Sequence, residues 1–420
     1  MDAFEISGGR PLQGEARVYG AKNSALPILA ATVMAEDVCV VKGVPQLEDI
    51  RVMVDILQTL GAKVDRDGDI VTVDPRAISS TNVPSGLMRK MRSSIFLMGP
   101  LLARFGEVRV SKPGGCVIGQ RPIDFHLRGM RTLGANVEEH HGYVRCTSNR
   151  LFGCHVTLDF PSVGATENLI MAAVLADGET VIENAAREPE IVDLAVFLNA
   201  CGAAVQGAGE DTIRVRGVHH LHGAVHQIIP DRIVAGTLMI AAAASHGRLT
   251  LEAVEPLHLG AVTAKLRESG MRVETGRDII AVESIGRNQA VDLRTAPFPG
   301  FPTDLQAPFM AMLATAEGTS VVRETVFEAR FKHVNELNRM GANISVDLQT
   351  AVIRGVRQLS GATVEATDLR GGAALVIAGL AADGTTRVDG LQHIDRGYQE
   401  LDLYLRDLGA SIVRMEHSDD

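Results

Sequence analysis

Seven cations, one carboxylate and one thiol stand apart in this chain by where they fall. Lys22, Arg92, Arg232 and Arg370 each open an apolar run, 14 or 15 residues before the turn that ends it. Asp304 holds the equivalent place in a fifth run and Gly164 in the sixth. Lysine and arginine at a helix N-terminus oppose the macrodipole. Capping accounts for any one such charge, but four cations at a disfavoured position call for a shared anion. Arg330 and Arg396 lie 12 residues beyond their turns, and Arg121 lies 15 beyond, all in strand-to-helix loops. Forked guanidinium pairs and helix N–H groups suit a ligand with several negative charges.

The thiol is Cys116, in the segment SKPGGCVIGQRPIDFH, residues 111–126. Glycines at 114, 115 and 119 free this loop, and Pro113 and Pro122 bound it. Lys112 and Arg121 nearby would lower a thiol pKa. Such a loop reads as a lid carrying a reactive thiol. The competing reading, a small buried hydrophobe, fits Cys39, Cys146, Cys154 and Cys201, which fall in strand-like or helical patterns.

A sixfold repeat must position these groups. Short glycine signatures recur at Gly61, Gly134, Gly202, Gly270, Gly341 and Gly409, at intervals of 68 to 73 residues. Internal repetition at a fixed period sets the architecture. Each unit reads as buried helix, strand, amphipathic helix, Gly-Ala, strand, turn, strand. In the first unit Leu47, Ile50, Val54 and Leu57 line one face of the amphipathic helix. The runs KNSALPILAATVMAED, SSIFLMGPLLARFG, ENLIMAAVLADG, IVAGTLMIAAAASHG, LQAPFMAMLATAEG and GGAALVIAGLAADG are apolar nearly all round. Helices of that kind are buried on every side. Six units divide most simply as three plus three, an α/β protein of two domains.

Composition narrows the function classes. The 420 residues are 46% hydrophobic, yet breakers such as Pro27 and Pro100 interrupt the long apolar runs, so no membrane span is expected. The start, MDAFEISGGR, lacks a signal-peptide pattern. Five widely separated cysteines suggest neither a disulfide framework nor a zinc site, and point to a reducing cytoplasm. A net charge of −10 and the absence of tryptophan argue against nucleic acid.

The motifs GAKNSALPIL, MRSSIFLMGP, PGGCVIGQRPID, FPSVGATEN, NAAREPEIVDL, PDRI, FPTDLQA, TVFEARFKHV, ATDLR and HIDRGY follow one another along the chain. In content and order they resemble the enolpyruvyl transferases, and among these the UDP-N-acetylglucosamine 1-carboxyvinyltransferases that open peptidoglycan synthesis. The resemblance runs from Gly8 to Ala410. The related 5-enolpyruvylshikimate-3-phosphate synthases carry an SKS-type first motif where this chain has Lys22-Asn23-Ser24. The resemblance implies two inside-out α/β barrels, three repeats each, with helices inside and sheets outside. The domains would span 22–230 and 231–420, the second completed by residues 1–21, with substrates bound between them and closure on binding.

The resemblance also implies roles. The reaction would transfer the enolpyruvyl group of phosphoenolpyruvate to UDP-N-acetylglucosamine, with no cofactor and no metal. Lys22, Asn23, Arg92, Arg121, Arg330, Arg370 and Arg396 would hold phosphoenolpyruvate. Arg121, Pro122, Ile123, Asp124 and Phe125 would join Pro161, Ser162, Val163 and Gly164 around the nucleotide, and Asn23, Arg92, Asp304 and Val326 would also contact the sugar nucleotide. Cys116 would donate a proton and be the site that fosfomycin alkylates. Asp304 would take the attacking hydroxyl's proton, with Lys22 and Arg396 completing the catalytic set. The alternatives are an enzyme of the same fold acting on a different acceptor, a nucleotide cyclase, or a non-catalytic repeat scaffold. Pro308, Ala329, Val234 and Lys332 depart from the family pattern, and Pro308 could shift the helix start after Asp304.

Overall fold

The structure is a computed structural model that describes residues 2–112 and 123–415. Residues 20–112 and 123–229 form one compact unit, and residues 2–19 and 230–415 form another. Each has its own hydrophobic core and three sheets. The fold is therefore the repeated α/β architecture expected, with buried helices and outer sheets, three repeats to a unit.

The unit of residues 230–415 is built around the helices Arg232–Ala244, Gln306–Leu313 and Leu369–Ala381, which pack against one another. Their alanines and glycines allow close approach, and nearly every residue is buried. In the other unit Met98–Phe105 packs on Val163–Ala173, while Lys22–Ala31 packs on Glu48–Leu60 and Pro189–Ala200. Asn168 ties two of these segments together: its Oδ1 accepts from Gly99 N at 2.8 Å and its Nδ2 donates to Ile95 O at 3.1 Å.

The sheets share one plan. Glu179–Glu183, Thr212–Arg216 and Ala204–Gln206 form an antiparallel set, and His155–Thr157 adds in parallel from the preceding repeat. Val225–Gln227 adds in the same way to Cys39–Lys42, so the third repeat of the unit closes onto the first. Gln13–Arg17, Leu293–Arg294 and Thr363–Glu365 make the parallel additions in the other unit. There the last repeat differs. Ala3–Ser7 lies between Thr385–Asp389 and Ser411–Met415, antiparallel to both. It occupies the central place that Ile279–Ser284 and Thr350–Arg354 hold in the other two sheets. Phe4 and Ile6 are buried in the core from this strand, as its alternation requires.

All six signature glycines end outer helices or their terminal turns, with φ between 90° and 112°. That left-handed conformation costs a side chain about 1–2 kcal/mol, which is why glycine marks the period. Two of the buried runs start differently from the expected continuous helix. Arg92–Leu97 and Thr303–Leu305 are 3₁₀ turns, followed by Met98–Phe105 and Gln306–Leu313. Pro308 explains the second case. A proline has no N–H and its ring crowds the carbonyl four residues earlier, so Asp304 sits in a tighter turn ahead of the helix proper.

Among the described residues no helix is long and apolar enough to cross a membrane, and no cluster of His, Cys, Asp and Glu could hold a metal ion. One buried carboxyl is unusual. Glu167 lies inside Val163–Ala173, fully buried, and neither carboxyl oxygen has a hydrogen-bond partner among the described residues. Burial pushes its pKa well above the ordinary range, and the nearby Glu190 and Glu188 push the same way. The folded state then holds a proton that the unfolded chain releases above pH ~4.3, so this group's contribution to stability falls as pH rises. Glu167→Gln keeps the shape and removes the titration. Its melting temperature relative to the natural protein is expected to rise between about pH 5 and about pH 8; a difference independent of pH would show that Glu167 does not titrate in this way.

Candidate active site

In the unit of residues 230–415, three of the singled-out residues meet. The Asp304 carboxylate accepts from Arg330 Nη2 at 2.7 Å through Oδ1, and from Arg370 Nε and Nη2 at 3.1 and 2.9 Å through Oδ2. The two arginine side chains are 5% and 4% exposed, and Asp304 is 25% exposed. Charge-assisted bonds of this kind are short and directional. Each guanidinium also lies over an aromatic ring, Arg330 over Phe327 and Arg370 over Tyr398, both at 5.1 Å. Burial opposes the Arg370 charge, yet Tyr398, Asp304 and Asp231 outweigh it and hold its pKa above the ordinary value. Arg330 Nε is buried and makes no hydrogen bond among the described residues, while Arg370 also interacts with Tyr398.

The helix starts explain how cations come to stand there. Asp231 caps Arg232–Ala244, accepting from Ile233 N and Val234 N at 2.8 and 3.0 Å. Asp368 caps Leu369–Ala381, accepting from Arg370 N and Gly371 N at 3.1 and 2.9 Å. An acid at the cap satisfies the end of the helix, and the arginine that follows is free of that duty. Arg232 lies over the Phe298 ring at 5.7 Å. Pro302 and Leu305, which precede Thr303–Leu305 and Gln306–Leu313, give no side-chain cap. His333, behind Arg330, is kept neutral. Burial lowers its pKa to about 4, with Arg330 adding to the effect and Asp368 opposing it. Arg396 is half-buried in the turn after Leu391–Ile394.

In the unit of residues 20–229, Lys22 is the first residue of Lys22–Ala31, a helix without a side-chain cap. Its Nζ donates to Asp49 Oδ2 at 3.1 Å, with the two side chains 9% and 4% exposed. Asn23 is half-buried on the next residue. The helix start is anchored through Asp193, whose carboxylate accepts from Ser24 Oγ, from His226 Nε2 at 2.8 Å and from Ile229 N at 3.3 Å.

The same unit joins the two segments expected at the nucleotide. Ile123 precedes Asp124–Thr132, which carries Phe125 and His126. Ser162 caps Val163–Ala173, accepting from Ala165 N at 3.4 Å, and Pro161 precedes it. A Cβ at Gly164 would come within 3.3 Å of His126 Cε1 and 3.4 Å of Phe96. Glycine therefore lets the His126 ring lie against this loop. Asn168 Nδ2 donates to His126 Nδ1 at 3.0 Å, which fixes the contact. Cys116, Arg121 and Pro122 lie outside the described residues, as does the side chain of Arg92.

Several of these groups escaped the sequence reading. Asp49 was hidden in the charged face of an amphipathic helix. Asp193 and His226 lie far apart in sequence. Asp231 and Asp368 were legible in PDRI and ATDLR as acids directly before the cationic positions. Val326, expected at the sugar nucleotide, is held by its backbone N–H on the Glu324 carboxylate at 2.8 Å.

Comparison with known proteins gives a consistent result. The model of the family described as EPSP synthase (3-phosphoshikimate 1-carboxyvinyltransferase) matches residues 6–403. UDP-N-acetylglucosamine 1-carboxyvinyltransferase 2 of Caldanaerobacter subterraneus subsp. tengcongensis is 53% identical over 416 residues, 99% of this chain and 100% of that protein. The UDP-N-acetylglucosamine 1-carboxyvinyltransferase of Cellvibrio japonicus is 51% identical over 419 residues, 99% of this chain and 100% of that one. The crystal structure of the enolpyruvyl transferase NikO from Streptomyces tendae superposes with a TM-score of 0.89 at 27% identity, covering 98% of both chains. This chain belongs to the enolpyruvyl transferase family, within which it is similar over its length to the UDP-N-acetylglucosamine 1-carboxyvinyltransferases.

Proposed function

We propose that the protein transfers the enolpyruvyl group of phosphoenolpyruvate to the 3′-hydroxyl of UDP-N-acetylglucosamine and releases phosphate, the first committed step of peptidoglycan synthesis. The observation that carries the reading is the Asp304 carboxylate, 25% exposed and held between two nearly buried arginines. The acceptor of the sugar proton has to be a carboxylate held in one place, and arginines beside it suit an anionic substrate. Identity above 50% along nearly the whole chain to proteins of that name supports it. Buried free thiols at Cys39, Cys146 and Cys201 suit a reducing cytoplasm.

The chemistry is addition followed by elimination. A proton adds to the methylene carbon of phosphoenolpyruvate, and the adjoining carbon takes on oxocarbenium character. The sugar oxygen bonds to that carbon as its own proton leaves, giving a tetrahedral ketal. The carbon–oxygen bond to phosphate then breaks, and a proton leaves the new methyl group to restore the double bond. Electrons move only within the substrates, so the cycle balances without an oxidant or reductant. We assign Cys116 as the acid toward the methylene and Asp304 as the base toward the hydroxyl. Lys22, Arg92, Arg121 and Arg396 are assigned to the phosphate and carboxylate, with Arg330 and Arg370 supporting. Cations accelerate the reaction only where they bind the transition state more tightly than the substrate. Asn23, residues 123–125 and 161–164, and Val326 are assigned to the sugar nucleotide.

Two outcomes test these roles. Phosphate release from phosphoenolpyruvate should require UDP-N-acetylglucosamine, and Cys116→Ser should lower it by about 10²–10⁴ with the fold retained. Cys116→Asp should be less impaired, because a carboxyl still donates a proton, and should resist fosfomycin, because a carboxylate is a poor nucleophile toward an epoxide. Turnover of Cys116→Ser near that of the natural protein would remove Cys116 from the chemistry.

Asp304→Asn should lower turnover by about 10² or more while nucleotide affinity by calorimetry is kept. The amide also leaves Arg330 and Arg370 without their counter-charge. The ligand-free variant should therefore melt at a lower temperature than the natural protein, and saturating phosphoenolpyruvate should narrow the gap. Turnover within a few-fold of the natural protein would make Asp304 a positioning group alone.

A further inference from the structure

Glu324 follows the strand Thr319–Arg323 and is fully buried. No arginine or lysine pairs with it among the contacts of the described residues. Its charge is met by hydrogen bonds instead. Oε1 accepts from Thr295 Oγ1 at 2.8 Å, from Val326 N at 2.8 Å and from Phe327 N at 3.2 Å. Oε2 accepts from Thr303 Oγ1 at 2.9 Å. Thr295 is itself held, accepting from Thr325 N at 2.9 Å through its hydroxyl and from Thr325 Oγ1 at 2.6 Å through its carbonyl. The carboxylate thus binds together three stretches of chain: the one ending at Thr295, the turn Thr303–Leu305, and the loop that begins at Thr325.

Thr303 is the informative partner. An ionised carboxylate only accepts, so the Thr303 proton is committed to Glu324. The Thr303 oxygen then presents its lone pairs away from Glu324, and Arg330 Nη1 donates to it at 2.7 Å. The other end of that guanidinium, Nη2, donates to Asp304 Oδ1 at 2.7 Å. The polarity of every bond along Glu324, Thr303, Arg330 and Asp304 is therefore fixed by the buried charge at the first of them. Phe327, whose N–H ends on the same carboxylate, carries the ring under Arg330. Val326, whose N–H ends there too, is the residue assigned to the sugar.

We propose that Glu324 is a positioning residue for the transfer reaction. It acts through Thr303 and Arg330 to aim the Asp304 carboxylate, and through the Val326 and Phe327 amides to set the loop beside it. It touches neither substrate. The inference rests on the assignment of Asp304 as base in the proposed reaction. A purely structural role, as a buried turn brace, would make Glu324 matter for melting alone. The aiming role makes its effect on turnover pass through Asp304.

The test is steady-state phosphate release by the full chain, with melting temperatures, for Thr303→Val, Thr303→Ser, Glu324→Gln, Asp304→Asn and the double variant Thr303→Val/Asp304→Asn. Valine keeps the shape and removes the hydroxyl. Glutamine places an amide donor where Thr303 needs an acceptor, so the first bond is reversed and the Thr303 proton loses its partner, while Arg330 can still only donate. Displacing a reacting group by about 1 Å can cost about 10²-fold, so Thr303→Val and Glu324→Gln should lose kcat on that scale at nearly unchanged KM for phosphoenolpyruvate. Thr303→Ser restores the hydroxyl and should recover turnover to within a few-fold of the natural protein. The double variant should be no slower than Asp304→Asn, since coupled residues do not add. Natural kcat in a folded Thr303→Val, or full multiplication of the two losses, overturns the inference and leaves the reaction assignment standing. If Glu324→Gln fails to fold, the threonine variants decide. A folded natural protein that releases no phosphate overturns the reaction assignment and this role with it.

Discussion

A guanidinium taken out of water needs a carboxylate, and in the unit of residues 230–415 one carboxylate serves two of them. Asp304 lies between Arg330 and Arg370, each nearly buried. Removing one partner of a buried pair is costly because the other is left uncompensated. The helix Leu369–Ala381, the turn before Gln306–Leu313 and the loop leading to His333–Arg339 must therefore keep their relative places. The same constraint appears in the other unit, where Lys22 meets Asp49 across two packed helices. The candidate chemistry and the packing of each unit rest on the same pairs.

These pairs also show how a repeated scaffold comes to carry unlike groups at equivalent places. The six buried helices are similar in composition, but their beginnings are not. Asp231 and Asp368 close two of them, Ser162 closes a third, and Lys22–Ala31 has no cap at all. Two more begin as 3₁₀ turns. Repetition supplies equivalent places, and local differences of one or two residues decide whether a place presents a cation, an anion or bare backbone. Arg330 belongs to this economy, since a guanidinium has five N–H groups and serves Asp304 and Thr303 at once.

Much of this was legible in the sequence. The period was visible because the left-handed turns at Gly61 to Gly409 demand glycine, and the buried helices because their apolar residues run all round. The cationic series and Asp304 were visible because they interrupt that apolar pattern. The partners were not. Asp49 looks like any acid on a solvated helix, and Asp193 meets Ser24 and His226 only once the unit has closed. Glu324 sits at a strand end, where an acid is ordinarily exposed, and nothing in RETVFEARF betrays that it is buried and bonded to Thr303. Pattern reveals what departs from a local rule, whereas these residues obey their local rules and acquire their meaning through long-range contact.

The strand Ala3–Ser7 carries a consequence for how the protein comes into being. It fills the centre of a sheet whose other members include Thr363–Glu365, Thr385–Asp389 and Ser411–Met415. On a ribosome it emerges ahead of residues 20–229, and its neighbours emerge only after them. The unit of residues 20–229 draws every strand of its three sheets from one continuous stretch and can fold while synthesis goes on. The other unit cannot complete its last sheet until Ser411–Met415 has been made. Until then Phe4 and Ile6 have no core to enter, and an apolar strand with open edges is a substrate for chaperones or for mispairing. Birth order and assembly order are thus opposed in one half of the molecule and aligned in the other.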